Sequence, residues 1–297
     1  MISKQQIPVA GLQLTVYGLE EYKSKGSQGP VAVMFAMHGR LQKMSAMDPI
    51  CEALCSLNDK NQPGQRHLIA ISFDHPNHGG RLVHRASNFA WKEGKHENPM
   101  HAQDMWSMYH SSASTVSQLI DVVEDYLFGP QEQSRVQVWG VMGFSMGGHA
   151  TFLAAASDPR ISVAIPIVGT ADFLSLLRDR LSQSSLSEKD HLPRRFCEMV
   201  DAKTANLDIR LKNTKLLMMS GAKDQLVPGK FNLDLVNRLK KTHTGQQGRD
   251  WAFVIVPNCG HEWSKTMFDL SVAWVDQWMV QTSSATSNIE TTLKAHL

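Results

Sequence analysis

The sequence of 297 residues contains little cysteine and no long apolar run. Its four cysteines, Cys51, Cys55, Cys197 and Cys259, are too few for a disulfide-stapled scaffold, and the Cys51/Cys55 spacing lacks the second pair that a zinc site needs. No window approaches 18 uninterrupted apolar residues, which argues against a membrane-spanning helix. Residues 1–6 lack the apolar run of a signal peptide. We therefore expect a soluble protein in a reducing, cytoplasmic compartment.

The sequence also lacks an excess of charge of either sign. Lys plus Arg total 30 and Asp plus Glu total 28, which leaves a net charge of +2. Proteins that bind nucleic acid through its phosphates need a dense positive surface. We therefore expect no nucleic-acid partner, and the absence of an apolar span likewise predicts no membrane partner.

Apolar runs of strand length recur along the chain, and helix-like segments separate them. The runs are residues 30–37, 67–73, 136–142, 161–168, 215–220 and 251–256. Because nearly continuous apolar strands are buried on both faces, they predict a parallel sheet. Residues 104–127 and 267–280 carry apolar stripes of helical period, whereas residues 12–17 alternate and predict an antiparallel edge strand. The alternation of strands and helices predicts a mostly parallel, doubly wound α/β sheet flanked by helices.

Two stretches are longer than such a sheet requires. Residues 81–103 are polar and rich in histidine, and residues 172–213 exceed the usual length of a crossover connection. The leucines of 172–213 predict short amphipathic helices, so we interpret this stretch as a small helical cap insertion. Length alone would allow two domains, but the strand pattern favours a single domain over residues 1–297. The polar residues 281–297 are predicted to form a frayed tail.

The sequence Gly143-Phe144-Ser145-Met146-Gly147 has the pattern G-x-S-x-G and lies between a predicted strand and a helix-like segment. This pattern is typical of a sharp, strained turn that exposes a serine and needs small neighbours on both sides. A reactive serine needs a general base, and His261 follows the last predicted strand. Asp224 follows the preceding strand and can orient that histidine. All three residues lie at carboxyl ends of strands, where open α/β sheets place their sites.

With these motifs the chain resembles the α/β-hydrolase superfamily over residues 30–280. Two further turns carry the resemblance: His38-Gly39 after the first long strand, and Asp74 to Gly79 (Asp-His-Pro-Asn-His-Gly) after the second. Within the superfamily the sequence is most similar to single-domain esterases of the dienelactone-hydrolase-like and prolyl-oligopeptidase-like branch. It differs from dienelactone hydrolases in having Ser145 where they carry cysteine. It also has no propeller-length N-terminal extension like that of true oligopeptidases, which argues against peptidase activity.

The resemblance implies a role for each of these residues. Ser145 is expected to be the nucleophile, His261 the base and then the acid, and Asp224 the group that orients His261. Asp172 is an alternative to Asp224, since some hydrolases supply the acid after the preceding strand.

An oxyanion hole is the second feature that the resemblance implies. The backbone N–H groups of Arg40, directly after His38-Gly39, and of Met146, directly after the serine, would form it. Phe144 and Trp263 are adjacent to expected catalytic positions and are our candidates for the substrate pocket.

The thirteen histidines raise the question of a metal site. His75 and His78 are three residues apart, but the histidines around them show no regular ligand spacing and no paired carboxylate motif. We therefore predict no metal and no cofactor, and we interpret His78 as a support for its turn.

Together these features predict a serine hydrolase of the carboxylesterase type, which cleaves a small-molecule ester through an acyl-enzyme intermediate. The same residues could act as a thioesterase, a lactone hydrolase or another acyl transferase, and a non-hydrolytic ligand-binding protein is a further alternative. The near-zero net charge favours a neutral or weakly charged acyl substrate. We expect a monomer or a homodimer.

Overall fold

The apolar runs of the sequence become the strands of one sheet. The structure is a computed structural model that describes residues 2–26, 29–60, 64–93, 95–130, 132–282 and 293. Its strands are β1 (Lys4–Val9), β2 (Leu12–Tyr17), β3 (Val31–Met37), β4 (His67–Phe73), β5 (Lys92–Glu93), β6 (His96–Glu97), β7 (Val136–Phe144), β8 (Ile161–Ile167), β9 (Lys215–Gly221) and β10 (Trp251–Val256). Within the described residues, eight of them form a sheet in the order β1-β2-β4-β3-β7-β8-β9-β10. The strands from β4 to β10 in this order are parallel, whereas β1 with β2 and β2 with β4 are antiparallel.

Helices occupy the connections between the strands. They are α1 (Leu19–Ser24), α2 (Asp48–Cys55), α3 (His101–Phe128), α4 (Met146–Ser157), α5 (Phe173–Ser182), α6 (Glu188–His191), α7 (Arg194–Thr204), α8 (Leu207–Arg210), α9 (Leu233–Thr242) and α10 (Lys265–Val275). A π-helical turn, Asp276–Val280, extends α10. None of the described helices is long and apolar enough to cross a membrane.

The predicted fold class is confirmed. The mostly parallel sheet has buried apolar side chains on both faces, and helices cover them. One face packs against α3 and α4, and its core includes Phe35, Val116 and Val141. The other face packs against α2 and α10, and its core includes Met142 and Trp274. Burial on both faces explains why these strands read as continuous apolar runs.

Sequence reasoning missed β1. Residues 12–17 do pair in antiparallel fashion, as expected, but β1 covers them and takes the edge of the sheet. The side chains of β1 alternate between exposed and partly buried positions, so this strand has no continuous apolar run. Pro8 is tolerated there because an edge strand has one side without a hydrogen-bonding neighbour.

Residues 172–213 contain α5, α6, α7 and α8, which are short helices of the kind that the leucine pattern predicts. The Asp172 side chain caps α5 by accepting a 2.9 Å hydrogen bond from the amide of Ser175. The role of this stretch as a cap stays a prediction. The predicted frayed tail, residues 281–297, lies outside the described residues except for Gln281, Thr282 and Leu293.

Candidate active site

The turn between β7 and α4 places Ser145 in a strained backbone conformation. Its φ of 55° and ψ of −111° are unusual for a residue with a Cβ atom. The turn closes tightly, because a Cβ atom on Gly143 would lie 2.3 Å from the carbonyl oxygen of Gly147. A Cβ atom on Gly147 would lie 2.2 Å from the carbonyl oxygen of Met37. Both glycines are therefore required sterically, which is the reason for the G-x-S-x-G pattern.

Ser145, His261 and Asp224 form a continuous chain of hydrogen bonds. The Oγ atom of Ser145 lies 2.8 Å from Nε2 of His261, and Nδ1 of His261 lies 2.8 Å from Oδ2 of Asp224. A carboxylate can only accept, so Nδ1 carries the proton and Nε2 of the neutral ring accepts from the serine hydroxyl. This is the arrangement in which a histidine can remove the serine proton.

Asp224 is held in its charged form. Its Oδ1 atom accepts hydrogen bonds of 2.9 Å and 2.8 Å from the amides of Leu226 and Val227. Burial alone would raise the pKa of Asp224, but the bond from His261 and these amides together lower it below its usual value. Asp172, the alternative acid, is exposed and caps α5 instead. The structure therefore brings Asp224, and not Asp172, to His261.

The two expected oxyanion donors lie on adjoining segments. Met146 is the first residue of α4, where backbone N–H groups have no acceptor within the helix. Arg40 follows His38-Gly39 at the end of β3, and the amide of Gly147 donates a 3.1 Å hydrogen bond to the carbonyl oxygen of His38. This bond joins the Arg40 segment to the start of α4. The roles of the Arg40 and Met146 amides in catalysis stay predictions.

Three buried histidines hold the segment that contains Arg40, an arrangement that sequence reasoning did not find. The Nε2 atom of His75 donates to the carbonyl oxygen of His38 at 2.8 Å, and the amide of His75 donates to Nε2 of His38 at 3.2 Å. The amide of Leu41 donates to Nε2 of His78 at 3.0 Å. These contacts agree with our interpretation of His78 as a support, and they account for part of the histidine excess.

All three histidines are held neutral. Burial lowers the pKa of His38 to about 4, although the nearby Asp74 opposes this effect. Burial also lowers the pKa of His75, which lies well below its usual range, and the pKa of His78. His38 and His78 must be neutral to form their hydrogen bonds, because Nε2 of each ring accepts a backbone N–H.

The two pocket candidates stack beside the histidine. The rings of Phe144 and Trp263 are nearly parallel, with centroids 6.1 Å apart, and the Phe144 ring lies 5.5 Å from the ring of His261. Both side chains are half-buried. They are therefore placed at the expected site, while contact with a substrate stays a prediction.

Sequence reasoning also missed His149 and Arg180. His149 lies one helical turn after Ser145, is buried, and has an Nδ1 atom 3.0 Å from the amide of Thr170, which donates to it. Burial lowers the pKa of His149 to about 4. Arg180, on α5, donates from Nη2 to the carbonyl oxygen of Leu226 at 2.7 Å. No local motif marks either residue, because only the fold brings them to the site.

Among the residues that the structure describes, no group of three or more His, Cys, Asp or Glu side chains is placed to hold a metal ion. The site consists of hydroxyl, imidazole, carboxylate and guanidinium groups together with backbone amides.

A strained serine elbow and an ordered Ser–His–Asp chain on a mostly parallel sheet define an α/β-hydrolase of the serine hydrolase type. The sequence model of the prolyl oligopeptidase family matches residues 108–283, and the chain belongs to this family. A search of curated proteins found no significant match.

Solved structures show the same fold. The protein TT1662 from Thermus thermophilus is 16% identical, with a TM-score of 0.66 over 94% of this chain and 98% of that one. A cold-adapted esterase from an Arctic intertidal metagenomic library is 17% identical, with a TM-score of 0.54 over 93% of both chains. The acylaminoacyl peptidase of Pyrococcus horikoshii is 13% identical, with a TM-score of 0.62 over 98% of this chain but only 44% of that one.

Proposed function

We propose that this serine hydrolase is a carboxylesterase that cleaves a small-molecule ester through an acyl-enzyme. The observation that carries the proposal is the hydrogen-bonded chain from Ser145 through His261 to Asp224, with 2.8 Å at each step. It provides a nucleophile, a base for its proton and a charged group that stabilises the base when it becomes positive.

The geometry supports the following reaction. Oγ of Ser145 attacks the ester carbonyl carbon while Nε2 of His261 takes the hydroxyl proton, and Asp224 remains ionised. The negative oxygen of the tetrahedral intermediate accepts hydrogen bonds from the amides of Arg40 and Met146, each worth about 3 to 4 kcal/mol in the transition state. His261 then gives its proton to the leaving alcohol.

The acyl-enzyme is resolved by water. His261 removes a proton from the water, whose oxygen attacks the acyl carbon, and the proton then returns to Oγ of Ser145 as the carboxylic acid leaves. The histidine that held the hydroxyl proton in the first half of the reaction is free to act as base in the second. No further reactant is needed.

An ester substrate is supported by the similarity to the cold-adapted esterase, which has the same fold over 93% of its chain. A thioester or a lactone would react through the same residues. A panel of short aryl esters, thioesters and lactones separates these substrates, and we expect the highest kcat/KM with an ester.

The nucleophile is tested with Ser145→Ala. This variant is expected to lose both aryl ester hydrolysis and labelling by a fluorophosphonate probe. Ser157→Ala removes an exposed hydroxyl at the other end of α4 and is expected to keep both. Undiminished labelling of Ser145→Ala would refute the proposal that Ser145 is the nucleophile.

A further inference from the structure

A cationic side chain from the 172–213 segment is bonded to the loop that carries the acid. Arg180 lies in the last turn of α5, and its Nη2 atom donates a 2.7 Å hydrogen bond to the carbonyl oxygen of Leu226. The amide of Leu226 in turn donates 2.9 Å to Oδ1 of Asp224. Since Asp224 also binds His261, Arg180 is one hydrogen-bonded residue away from the Ser145–His261–Asp224 chain.

Among the residues that the structure describes, Arg180 forms no salt bridge, although Asp224 and Asp179 are near enough to attract its charge. Its Nε atom is buried and has no hydrogen-bond partner among the described residues. No carboxylate of a described residue lies within salt-bridge distance of its guanidinium. The neighbouring Asp179 forms a salt bridge with Lys230 at 2.7 Å, and Asp224 is hydrogen-bonded to His261. Withdrawing a guanidinium from water without a counter-charge is costly, and buried charges in proteins are normally paired.

A second arginine, Arg40, lies near enough to Arg180 for the two charges to repel. Arg40 follows His38-Gly39, and its Nη1 atom donates a 2.6 Å hydrogen bond to the carbonyl oxygen of Asn88. Burial, with the repulsion of the Arg40 charge, lowers the pKa of Arg180 to about 10. Arg180 is therefore still positive at neutral pH, and the two arginines bring two positive charges near each other.

We propose that Arg180, together with Arg40, binds a carboxylate carried by the substrate, so that the preferred substrate is an ester with a free carboxylate group. A carboxylate fits because a guanidinium presents parallel N–H groups to its two oxygens. The inference rests on the proposed esterase function. A substrate with a carboxylate differs from the neutral substrate that the net charge of +2 favours. The net charge of the whole chain does not determine where individual charged side chains lie.

The test compares matched charged and neutral esters. One pair places the carboxylate on the acyl side, mono-p-nitrophenyl glutarate against p-nitrophenyl pentanoate. The other places it on the alcohol side, 4-carboxyphenyl acetate against phenyl acetate. For each pair the readout is the ratio of kcat/KM for the charged ester to that for the neutral ester. We expect a ratio well above one in at least one pair for the natural enzyme.

Arg180→Met is expected to lower that ratio by about tenfold or more, because charge-assisted hydrogen bonds are among the strongest polar contacts. Arg180→Lys keeps the charge and is expected to keep part of the preference. The matched control is Arg178→Met, since Arg178 lies on the same helix, is exposed and pairs with Glu188 at 3.1 Å. Thermal unfolding of each variant establishes that it is folded.

Two results would overturn the inference. The first is a ratio at or below one in both pairs for the natural enzyme, and the second is the same ratio in Arg180→Met as in the natural enzyme. Neither result affects the proposed function, which fails only if hydrolysis of the neutral esters does not depend on Ser145. As a readout without turnover, calorimetry with Ser145→Ala of the charged ester from the pair that shows the higher ratio is expected to show binding that Ser145→Ala/Arg180→Met loses.

Discussion

The Nε2 atom of His75 donates a 2.8 Å hydrogen bond to the carbonyl oxygen of His38, and this same oxygen accepts the amide of Gly147 at 3.1 Å. One carbonyl group thus joins the loops after β3 and β4 to the start of α4. The expected oxyanion donors, Arg40 and Met146, are each within two residues of these contacts. Their separation is therefore fixed by a buried polar contact rather than by flexible loops, as stabilisation of a developing charge requires.

Replacing His75 by Phe should slow the reaction more than it weakens substrate binding. The change removes the bond to His38, so we expect kcat for an aryl ester to fall by about tenfold, with KM little changed, and stability to fall by about 1 to 3 kcal/mol. Steady-state kinetics and urea unfolding measure these effects. The control is His84→Phe at an exposed position. A stable His75→Phe variant with kcat within twofold of the natural enzyme contradicts a positioning role.

The buried histidines should make the protein labile to acid. The pKa of His38 is about 4 in the folded protein, against an ordinary value of 6.5, so the unfolded chain binds protons that the folded chain excludes. A lowered histidine pKa gives stability that is complete above pH 6.5. We expect the free energy of unfolding to fall as the pH decreases from about 6.5 to about 4.

Urea unfolding between pH 7.5 and pH 4.5 tests this expectation. His78→Gln keeps an acceptor for the amide of Leu41 but cannot titrate, so its loss of stability over this range should be smaller than that of the natural protein. His84→Gln replaces an exposed histidine and should behave like the natural protein. An identical fall in all three proteins would exclude His78 as a source of the acid lability.

The elbow glycine should tolerate no side chain. In Gly147→Ala the new Cβ atom would lie 2.2 Å from the carbonyl oxygen of Met37, so backbone must move. We expect a loss of more than about 2 kcal/mol of stability, together with loss of activity. In Gly140→Ala, on the strand that leads into this turn, the atoms nearest to the new Cβ are the flexible side-chain ends of Met279 and Met34. That control should lose about 1 kcal/mol and keep its activity; equal effects in the two variants would refute the steric argument.

Asp224→Asn should lower kcat by about 10⁴-fold, because an amide no longer fixes the reactive tautomer of the histidine. Asp172→Asn is the matched variant for the alternative acid, and asparagine can still cap α5. We expect it to leave kcat nearly unchanged. Aryl ester kinetics of the two variants decide between these acids, and a larger loss in Asp172→Asn would reverse the assignment.

Most of the sheet could be predicted from the sequence, because strands buried on both faces must be apolar throughout. The six long parallel strands lie within two residues of their expected bounds. The sequence pattern did not predict β1 (Lys4–Val9), because an edge strand buries only alternate side chains and therefore has no continuous apolar run. Of the site, Ser145, Asp224 and His261 could be proposed, since each follows a predicted strand and the carboxyl ends of parallel strands meet at one edge.

By itself the sequence determined the class of fold and the order of the reactive residues. Both depend on local pattern, namely apolar runs and a glycine-flanked serine. Only the tertiary structure decided that Asp224 rather than Asp172 meets His261, that His75 binds His38, and that Arg180 reaches the loop of Asp224. These contacts join residues that are 37 or more positions apart, where side-chain direction and burial select the partner and no local pattern records the choice.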